Sequence, residues 1–461
     1  MLTYQDYVKE TEGKSTEALV AFINKAIREH SSDPLVKMAI LADKYDNQQN
    51  DTITKMIKWL YLANGSKVED TTVANHKLAS GFFHRLNVQR NTYLLGNGVD
   101  FDDKSVKDKL GDSFDSVFKS AGYFALIHGL TFVYWNLDQI YNFKLQEFKP
   151  FWDEETGALR AGIRFWRLDD RKPMKAVLYE EDGFTKFSED ENKNMVITQP
   201  KRSYIVKVSS SILDGDEIVG MSNYSFLPIV PFWGSRNHLS TLTKLQSNID
   251  AYDMIKSGFA NDLDECAQIY WLINGANGMD DEDMAEFRDR LKFNHIAKVE
   301  RDGQVNPYTQ EVPYSARETL LARIKADLYE DFGALDVHTI AAGATNDHIE
   351  AAYQPLDEEA DDYEFQCTEC IKQILALNGI DAEPVYKRNR ISNQMETVQM
   401  LMMEAEYLDE ETIISKLPNI TIDEVEAIMK RKSAEELDRF RDIPEDDEEE
   451  SVPSEEGAEN G

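Results

Sequence analysis

The strongest constraint on the fold of this chain is a change of sequence pattern near residue 130. Before that point, segments such as residues 15–30 place apolar side chains at helical spacing, with Ser15 as the predicted N-cap. Residues 130–233 form short, aromatic-rich and roughly alternating runs separated by turn residues, which predicts strands. Helical spacing then returns. This order predicts an α+β fold that is mostly helical, with a β-rich layer inserted in it.

Two long helices are predicted after the β-rich layer, at residues 238–272 and 314–332. The loop that follows, residues 333–353, consists largely of Gly, Ala, Thr, Ile and Asn, with no proline and few charges. A further helix is predicted to begin at Pro355 and to stop at Gly379. The chain therefore places a pliable segment between rigid helices.

The net charge of −35 excludes ordinary tight binding of nucleic acid, because so acidic a surface repels phosphate. Only part of this charge belongs to the end of the chain. Residues 442–461 contain ten acidic residues and no basic one, which leaves −35 + 10 = −25 for the rest. Their composition predicts a disordered acidic tail.

Cysteine usage and hydropathy predict a soluble protein of a reducing compartment. Cys266, Cys367 and Cys370 make no disulfide framework, and the Cys367–Cys370 CxxC lies in a charged helical stretch, where a half-buried helix face is expected rather than a redox or zinc site. The N-terminus has no apolar signal region. Residues 120–137 are uncharged over a membrane-spanning length, but Gly129 and the β-branched residues after it predict a helix, a glycine stop and a buried strand.

A search for catalytic motifs finds no phosphate-binding loop, nucleophile elbow, zinc-protease helix or calcium loop. No catalytic residue, metal ligand or cofactor is therefore predicted. The acid pairs Asp262 with Asp264 and Asp361 with Asp362 leave open a metal-dependent nuclease or other hydrolase as the alternative function. In a chain with 85 acidic residues such pairs also arise as solvated helix faces.

Five stretches resemble segments of a known protein family, both in their amino-acid sequence and in their order along the chain. They are ADKYDNQQNDTI from residue 42, NVQRNTYLLGNGVDF from 87, FALIHGLTFVYWNLD from 124, FLPIVPFWGSRNHLSTLTKLQSNIDAYDMIKSGFANDLDE from 226, and AGATNDHIEAAY from 342. Over roughly residues 35–440 the chain resembles the portal proteins, or head–tail connectors, of tailed bacteriophages of the siphovirus type. It departs from the family pattern at Trp233-Gly-Ser and at His348-Ile-Glu.

The resemblance implies the portal fold, with long stem helices, a β-rich wing layer, a small α/β clip and a helical crown. The implied parts are a wing at 1–237 with its β-rich layer at 130–233, stem helices at 238–272 and 314–332, a clip at 273–313, a tunnel loop at 333–353, a wing helix at 354–385, the crown at 386–441 and the acidic tail at 442–461.

The resemblance also implies a ring of about twelve copies around a channel for double-stranded DNA. Twelve helices about 10 Å wide give a ring bore of roughly 28 Å, wider than a duplex of about 20 Å. A compliant loop is expected to close that gap. The implied tunnel-loop residues are Val337, His338, Thr339, Ile340, Ala341, Ala342, Gly343, Ala344, Thr345 and Asn346.

Acidic channel walls let DNA slide, whereas a few cations are able to brake it. Arg317, Arg323 and Lys325 on the second stem helix are the candidates; the alternative for them is pairing with nearby acids such as Asp327. The clip candidates for partner docking, or alternatively for a solvated surface, are Arg288, Arg290, Lys292, Lys298 and Arg301.

The partners implied by the resemblance are further copies of the chain, the terminase large subunit, a head-completion or adaptor protein, and the scaffolding and major capsid proteins. DNA would pass without sequence specificity, and no membrane is involved. The protein would be made in the host cytoplasm and reside at the portal vertex of the virion. A third hypothesis is a soluble adaptor whose acidic tail mimics DNA.

Overall fold

A computed structural model of the chain describes residues 2–62, 65–71, 73–211, 215–266, 270–274, 282–283, 304–308, 314–340, 345–390, 394–405, 407–417, 425 and 427–432. The fold is α+β, as the sequence predicts. The chain divides into two compact units. The first comprises Met1–Asp336 and Tyr353–Arg390, and the second comprises Val337–Ala352 and Ile391–Gly461.

The helices are α1 Tyr4–Thr11, α2 Thr16–His30, α3 Pro34–Asp46, α4 Asp51–Thr54, α5 Phe82–Leu95, α6 Lys104–Leu110, α7 Phe114–His128, α8 Leu242–Cys266, α9 Tyr314–Phe332, α10 Asn346–Leu377, α11 Gln394–Glu404 and α12 Glu410–Lys416. Ser15 occupies the N-cap position of α2, as predicted, although its side chain makes no capping hydrogen bond.

The strands are β1 Trp59–Tyr61, β2 Lys67–Glu69, β3 Val99–Phe101, β4 Leu130–Asn136, β5 Gln139–Lys144, β6 Phe148–Trp152, β7 Leu159–Trp166, β8 Lys175–Glu180, β9 Gly183–Glu189, β10 Met195–Arg202, β11 Ile205–Ser211, β12 Gly215–Ser222, β13 Ile229–Trp233, β14 Tyr270–Asn274, β15 Gln304–Tyr308 and β16 Pro384–Tyr386.

The predicted β-rich layer is confirmed as antiparallel sheets between residues 130 and 233. Strands β6 to β10 form a five-stranded meander, and β13, β4 and β5 form a three-stranded sheet. The predicted step from helix to strand is also confirmed: α7 ends at His128, Gly129 adopts a left-handed conformation with φ of 85°, and β4 begins at Leu130. A side chain at Gly129 would be strained there, which is why glycine ends the helix.

Four apolar clusters hold the first unit together. One packs α1 and α2 on the five-stranded sheet, and a second lies between α3 and the two sheets. A third surrounds α7 and includes Tyr363, Cys367 and Cys370 of α10. The fourth joins α3, α5 and α7 to the facing ends of α8 and α9, through residues such as Ile249 and Leu328. The last cluster fixes one end of the two long helices to the body of the unit.

The first long helix is shorter than predicted at both ends. His238 has a left-handed φ of 55°, and the Ser240 hydroxyl accepts a hydrogen bond from the Leu242 amide at 3.1 Å, so the helix begins only at Leu242. At the other end Tyr270 already belongs to a strand. The predicted helix at residues 238–272 is therefore wrong at its margins, because apolar spacing alone does not reveal the cap or the strand that follows it.

The helix after the loop begins earlier than predicted. α10 starts at Asn346 and contains Pro355 in its interior, so residues 346–353 are helical instead of belonging to the loop. The Ile349 amide donates to the Thr345 carbonyl at 3.0 Å, and Asp347 provides an acid in the first turn. The predicted start at Pro355 is wrong because proline is common at the first position of a helix but also occurs, as here, in the interior. The sequence signal for the true start is Thr345 directly before the helix, followed by Asp347 in its first turn.

None of the described helices combines the length and the apolar character needed to cross a bilayer. The uncharged stretch at 120–137 is instead shared between α7 and β4, with Leu126 and Phe132 in the core.

Candidate functional site

The two long helices α8 and α9 run antiparallel, and three contacts fix their register. The Asn248 amide donates to Asp331 at 2.9 Å near one end of the pair, whereas Arg317 pairs with Asp262 and the ring of Tyr314 packs on Phe259 at 5.4 Å near the other. The N-terminal part of α8 therefore lies beside the C-terminal part of α9, and the C-terminal part of α8 lies beside the N-terminal part of α9. We call α8 and α9 together the helix pair.

The helix pair is acidic, and its exposed surface includes small residues. Over Leu242–Cys266 and Tyr314–Phe332 there are five basic and nine acidic residues, so its net charge is 5 − 9 = −4. Ala316, Ala322 and Ala326 of α9 are exposed. A surface of this kind offers few groups able to grip phosphate.

Each of the three predicted channel cations lies in an ion pair within the chain. Arg317 pairs with Asp262, Arg323 with Asp327 at 2.8 Å, and Lys325 with Asp336 at 3.0 Å. The three cations therefore pair with nearby acids, as the alternative interpretation predicted, and the pair of Arg323 with Asp327 has the expected i,i+4 spacing. Arg323 nevertheless keeps 70% of its side chain exposed, and such exposed pairs are weak enough to exchange partners. A contact of these cations with DNA stays a prediction.

A strap of extended chain, residues 73–81, lies along α8 and is held by polar side chains. The His76 amide donates to Asn261 at 2.7 Å, and the Leu78 amide donates to Ser257 at 3.0 Å. Two extended residues advance about 6.6 Å and four helical residues about 6.0 Å, so alternate amides of the strap meet successive turns of the helix. Ser257 and Asn261 are buried as a result. The sequence did not predict this strap.

The first end of the loop is fixed by two consecutive side chains of α5. Gln89 makes a reciprocal amide pair with the backbone of Leu335, donating to its carbonyl at 2.8 Å and accepting from its amide at 3.1 Å. Arg90 donates to the Phe332 carbonyl at the C-terminus of α9, where a cation is favourable. It also pairs with Glu359 at 3.0 Å.

Gly333 lets the chain leave α9 in this position. Its φ of 64° lies in the left-handed region, and a Cβ there would stand 2.7 Å from Glu359 and 3.0 Å from the Pro355 carbonyl. Any other residue would be strained and crowded at once.

The first part of α10, which follows the loop, is held one turn further along α5. The ring of Tyr353 stacks on Tyr93 with centroids 5.6 Å apart, and the Tyr93 hydroxyl donates to Asp357 at 2.5 Å. Burial and the hydrogen bond to Asp357 raise the pKa of Tyr93 to about 12. Gln89, Arg90 and Tyr93 thus hold the segments before and after the loop from one helix. Sequence reasoning missed all three, because nothing local in α5 indicates which distant backbone atoms they reach.

The described parts of the predicted tunnel loop contain some regular structure. Val337–Thr339 forms a 3₁₀ turn, the Ile340 amide donates to the Val337 carbonyl at 3.2 Å, and Thr345 hydrogen-bonds His348 at 2.9 Å. Asn346 is the first residue of α10. Ala341, Ala342, Gly343 and Ala344 lie outside the described residues.

The predicted clip is described in part. Strands β14 and β15 pair antiparallel, with Tyr270 opposite Tyr308 and Asn274 opposite Gln304. The docking candidates Arg288, Arg290, Lys292, Lys298 and Arg301 all lie outside the described residues, as does the predicted acidic tail.

The acid pairs that raised the alternative of a nuclease are each in contact with a basic side chain. The partners are Arg317 for Asp262, His76 for Asp264, Arg388 for Asp361 and Arg236 for Asp362. Within the described part of the chain, no group of three or more His, Cys, Asp or Glu residues is able to hold a metal ion. Nothing in these contacts favours hydrolytic chemistry at those acids.

The CxxC cysteines are buried in the core of the first unit. Burial raises the pKa of both the Cys367 and the Cys370 thiol well above the usual range, so neither is poised to form a thiolate. This agrees with the predicted helix-face role, although the two side chains are fully buried.

Asp253 provides a pH-dependent test of the α8 anchorage. Burial raises its pKa, although contacts with Ser80 and a 3.3 Å hydrogen bond from Asn50 oppose that shift. A raised folded-state pKa means that the stability contributed by Asp253 is complete below the unfolded-state pKa of about 3.9 and is lost as pH rises through the folded value. We therefore expect Asp253→Asn to increase the free energy of unfolding at pH 7, by on the order of 1 kcal/mol, and to have no such effect near pH 3.

Urea unfolding at the two pH values measures this difference. Asp250→Asn is the matched control on the same helix, because Asp250 is less buried and accepts a hydrogen bond from Tyr45 at 2.7 Å. The control is expected to leave stability at pH 7 unchanged or slightly lower. Equal effects of the two substitutions at pH 7 would contradict the prediction.

Comparisons with known proteins match nearly the whole chain to one family. A family model described as phage portal protein, SPP1 Gp6-like, matches residues 41–447. The portal protein of Bacillus phage SPP1 is 25% identical over 511 aligned positions, which cover 99% of this chain and 96% of that protein. The portal protein of Clostridium phage phiCD119 is 23% identical over 437 positions, covering 87% of this chain and 93% of that protein.

Proposed function

The chain belongs to the SPP1 Gp6-like family of phage portal proteins, and on that premise we propose that its copies close into a ring through which double-stranded DNA enters and leaves the capsid. Membership of the family implies a ring oligomer at the capsid vertex. In our proposal the helix pair lines the channel of that ring. The loop between α9 and α10 forms its flexible inner edge.

The observation that carries this assignment is how the loop is held. The segments on both sides of it are fixed on α5, since Gln89 bonds Leu335 and Tyr93 stacks on Tyr353 in the second turn of α10, whereas the loop itself is rich in Gly and Ala. A pliable segment with fixed ends can change shape without disturbing the fold that carries it. This is the behaviour required of a seal around a DNA helix whose symmetry does not match that of the ring.

The charge of the helix pair supports a sliding contact. A wall with net charge −4 per subunit repels the phosphate backbone, and three of its five cations are engaged with Asp262, Asp327 and Asp336. Repulsion acts within a Debye length of about 8 Å at physiological ionic strength, which keeps the duplex centred and mobile. Arg323, the most exposed of the three cations, is the proposed steering contact.

The partner contacts follow the family pattern as proposals. The clip would dock the terminase large subunit during packaging and a head-completion or adaptor protein afterwards, through Arg288, Arg290, Lys292, Lys298 and Arg301. Scaffolding and major capsid proteins would surround the ring at the vertex. Binding of these partners by a clip variant with several of the five cations replaced by Gln, compared with the intact ring, tests the docking proposal.

Electron microscopy of the purified protein tests the ring directly. We expect annular particles with a central hole, and end-on class averages should give a bore of roughly 28 Å for a ring of about twelve helix-lined subunits. Monodisperse monomers alone at micromolar concentration would contradict the proposal. Cleavage of plasmid DNA that depends on a metal ion and on Asp361 or Asp362 would instead support the nuclease alternative.

A further inference from the structure

The hairpin β1–β2 displays apolar side chains without a covering layer in the described chain. Trp59–Tyr61 pairs with Lys67–Glu69, and these two strands form a sheet of their own. Tyr61 has 73% of its surface exposed. The other large apolar side chains exposed on the hairpin are Ile57, Trp59, Leu60, Leu62 and Val68.

Such a hairpin gains little stability by itself. Two strands without a third strand or a packed face are marginal in water, and a contiguous apolar patch typically marks a contact surface. Within the hairpin, the Lys67 ammonium lies 4.5 Å from the centroid of the Trp59 ring, which covers only one side of that ring. We therefore expect a partner outside the subunit to cover this apolar area.

The hairpin is rooted at one end of the helix pair. The Asp70 amide donates to the Lys58 carbonyl at 2.9 Å, and Asn75 donates to the Met56 carbonyl at 3.1 Å. The next residue, His76, bonds Asn261 and lies 2.5 Å from Asp264. The strap therefore fixes the root of the hairpin beside the C-terminal end of α8.

We propose that the hairpin packs on the helix pair of the neighbouring copy in the ring, near Leu263, Tyr314 and Leu320. This inference rests on the proposed ring. Subunits of a ring are related by rotation, so a projection and its receptor lie at the same distance along the ring axis. The root of the hairpin adjoins Asn261 and Asp264, and the three receptor residues lie at that same end of the pair, exposed on its surface.

Charge complementarity favours this occupant. Residues 57–69, which include both strands, contain two lysines and one acid, so their net charge is +1 and the rest of the chain carries −35 − 1 = −36. The helix pair that would receive the hairpin has a net charge of −4. A cationic, aromatic hairpin on an acidic chain fits another copy of that chain, and the contact is of the head-to-tail type that closes rings.

The test is the oligomeric mass of the Tyr61→Asp variant. Leu168→Asp is the matched control, since Leu168 is 86% exposed and carries the same substitution to aspartate away from the hairpin. We expect Tyr61→Asp to weaken each subunit contact about tenfold or more, so that rings give way to monomers and open fragments in sedimentation and native mass measurements, while Leu168→Asp forms rings. Circular dichroism should show both variants folded.

A photo-reactive phenylalanine analogue at position 61 provides a second measurement. In assembled rings we expect a cross-link between two copies that maps to the peptide around residues 314–323 or 254–264. Rings of unchanged mass for Tyr61→Asp, or a cross-link confined to one copy, would overturn the hairpin contact while leaving the ring intact. Absence of rings in the unmodified protein would instead refute the proposed function itself, so the two failures are distinguishable.

Discussion

Replacing Arg90 with methionine is expected to lower the free energy of unfolding by about 3–5 kcal/mol. The Arg90 side chain is almost fully buried, pairs with Glu359 at 3.0 Å, donates to the Phe332 carbonyl and lies 4.0 Å from the Phe332 ring centroid. Burial lowers the pKa of Arg90, and Glu359 opposes that shift. Methionine keeps an unbranched apolar stem but leaves the Phe332 carbonyl without its donor and Glu359 with only Lys244, at 3.7 Å, and buried polar groups that lose a partner are costly.

Chemical denaturation followed by circular dichroism, at one protein concentration throughout, measures this loss. Arg85→Met is the matched control on the same helix, because Arg85 is exposed and contacts only ring faces among its described interactions. It should cost no more than about 1 kcal/mol. The double variant Arg90→Met with Glu359→Gln should be more stable than Arg90→Met alone. Similar losses for Arg90→Met and Arg85→Met would contradict the anchoring role of Arg90.

Replacing Gly343 with proline is expected to reduce DNA packaging or retention about tenfold or more, with ring assembly unchanged. A tenfold effect corresponds to roughly 1.4 kcal/mol in the limiting step. Proline fixes φ and removes an amide donor, so a loop that must follow a moving duplex loses part of its conformational range. Ring assembly should survive, because Gln89, Arg90 and Tyr93 fix the flanks of the loop independently of its middle.

Packaging efficiency in a complementation assay, together with electron microscopy of the purified rings, separates the two effects. Gly343→Ala is the control: it adds one methyl group but keeps the amide donor and does not lock φ as a proline ring does, so packaging is expected to stay close to that of the unchanged protein. Normal packaging by Gly343→Pro would remove the loop from the mechanism. Loss of rings in that variant would show that the loop contributes to assembly, contrary to this prediction.

Much of the architecture was readable from sequence. Alternation and aromatic content between residues 130 and 233 predicted the sheets, and Gly129 predicted the stop between α7 and β4, because these signals are local. The second long helix has the predicted bounds Tyr314–Phe332. Family membership followed from short stretches in a fixed order, which the family match over residues 41–447 bears out.

The ends of the elements were less predictable. α8 starts at Leu242 because Ser240 provides a cap that apolar spacing does not show, and α10 starts at Asn346 although Pro355 looks like a helix start. Both errors arise where polar backbone contacts, and not apolar periodicity, determine the boundary. The strap on α8 was missed for the same reason, since its amides bond side chains of a helix about 180 residues away.

The sequence by itself determined the classes of element, their order, the acidity of the chain and the family. Only the tertiary structure decided which side chains hold the loop and the hairpin: α5 anchors Leu335, Phe332 and Tyr353, and the strap carries β1–β2 to the end of α8. The physical reason is the range of the interactions. Helix and strand signals act over a few neighbouring residues, whereas these anchors are hydrogen bonds, ion pairs and ring contacts between segments that only folding brings together.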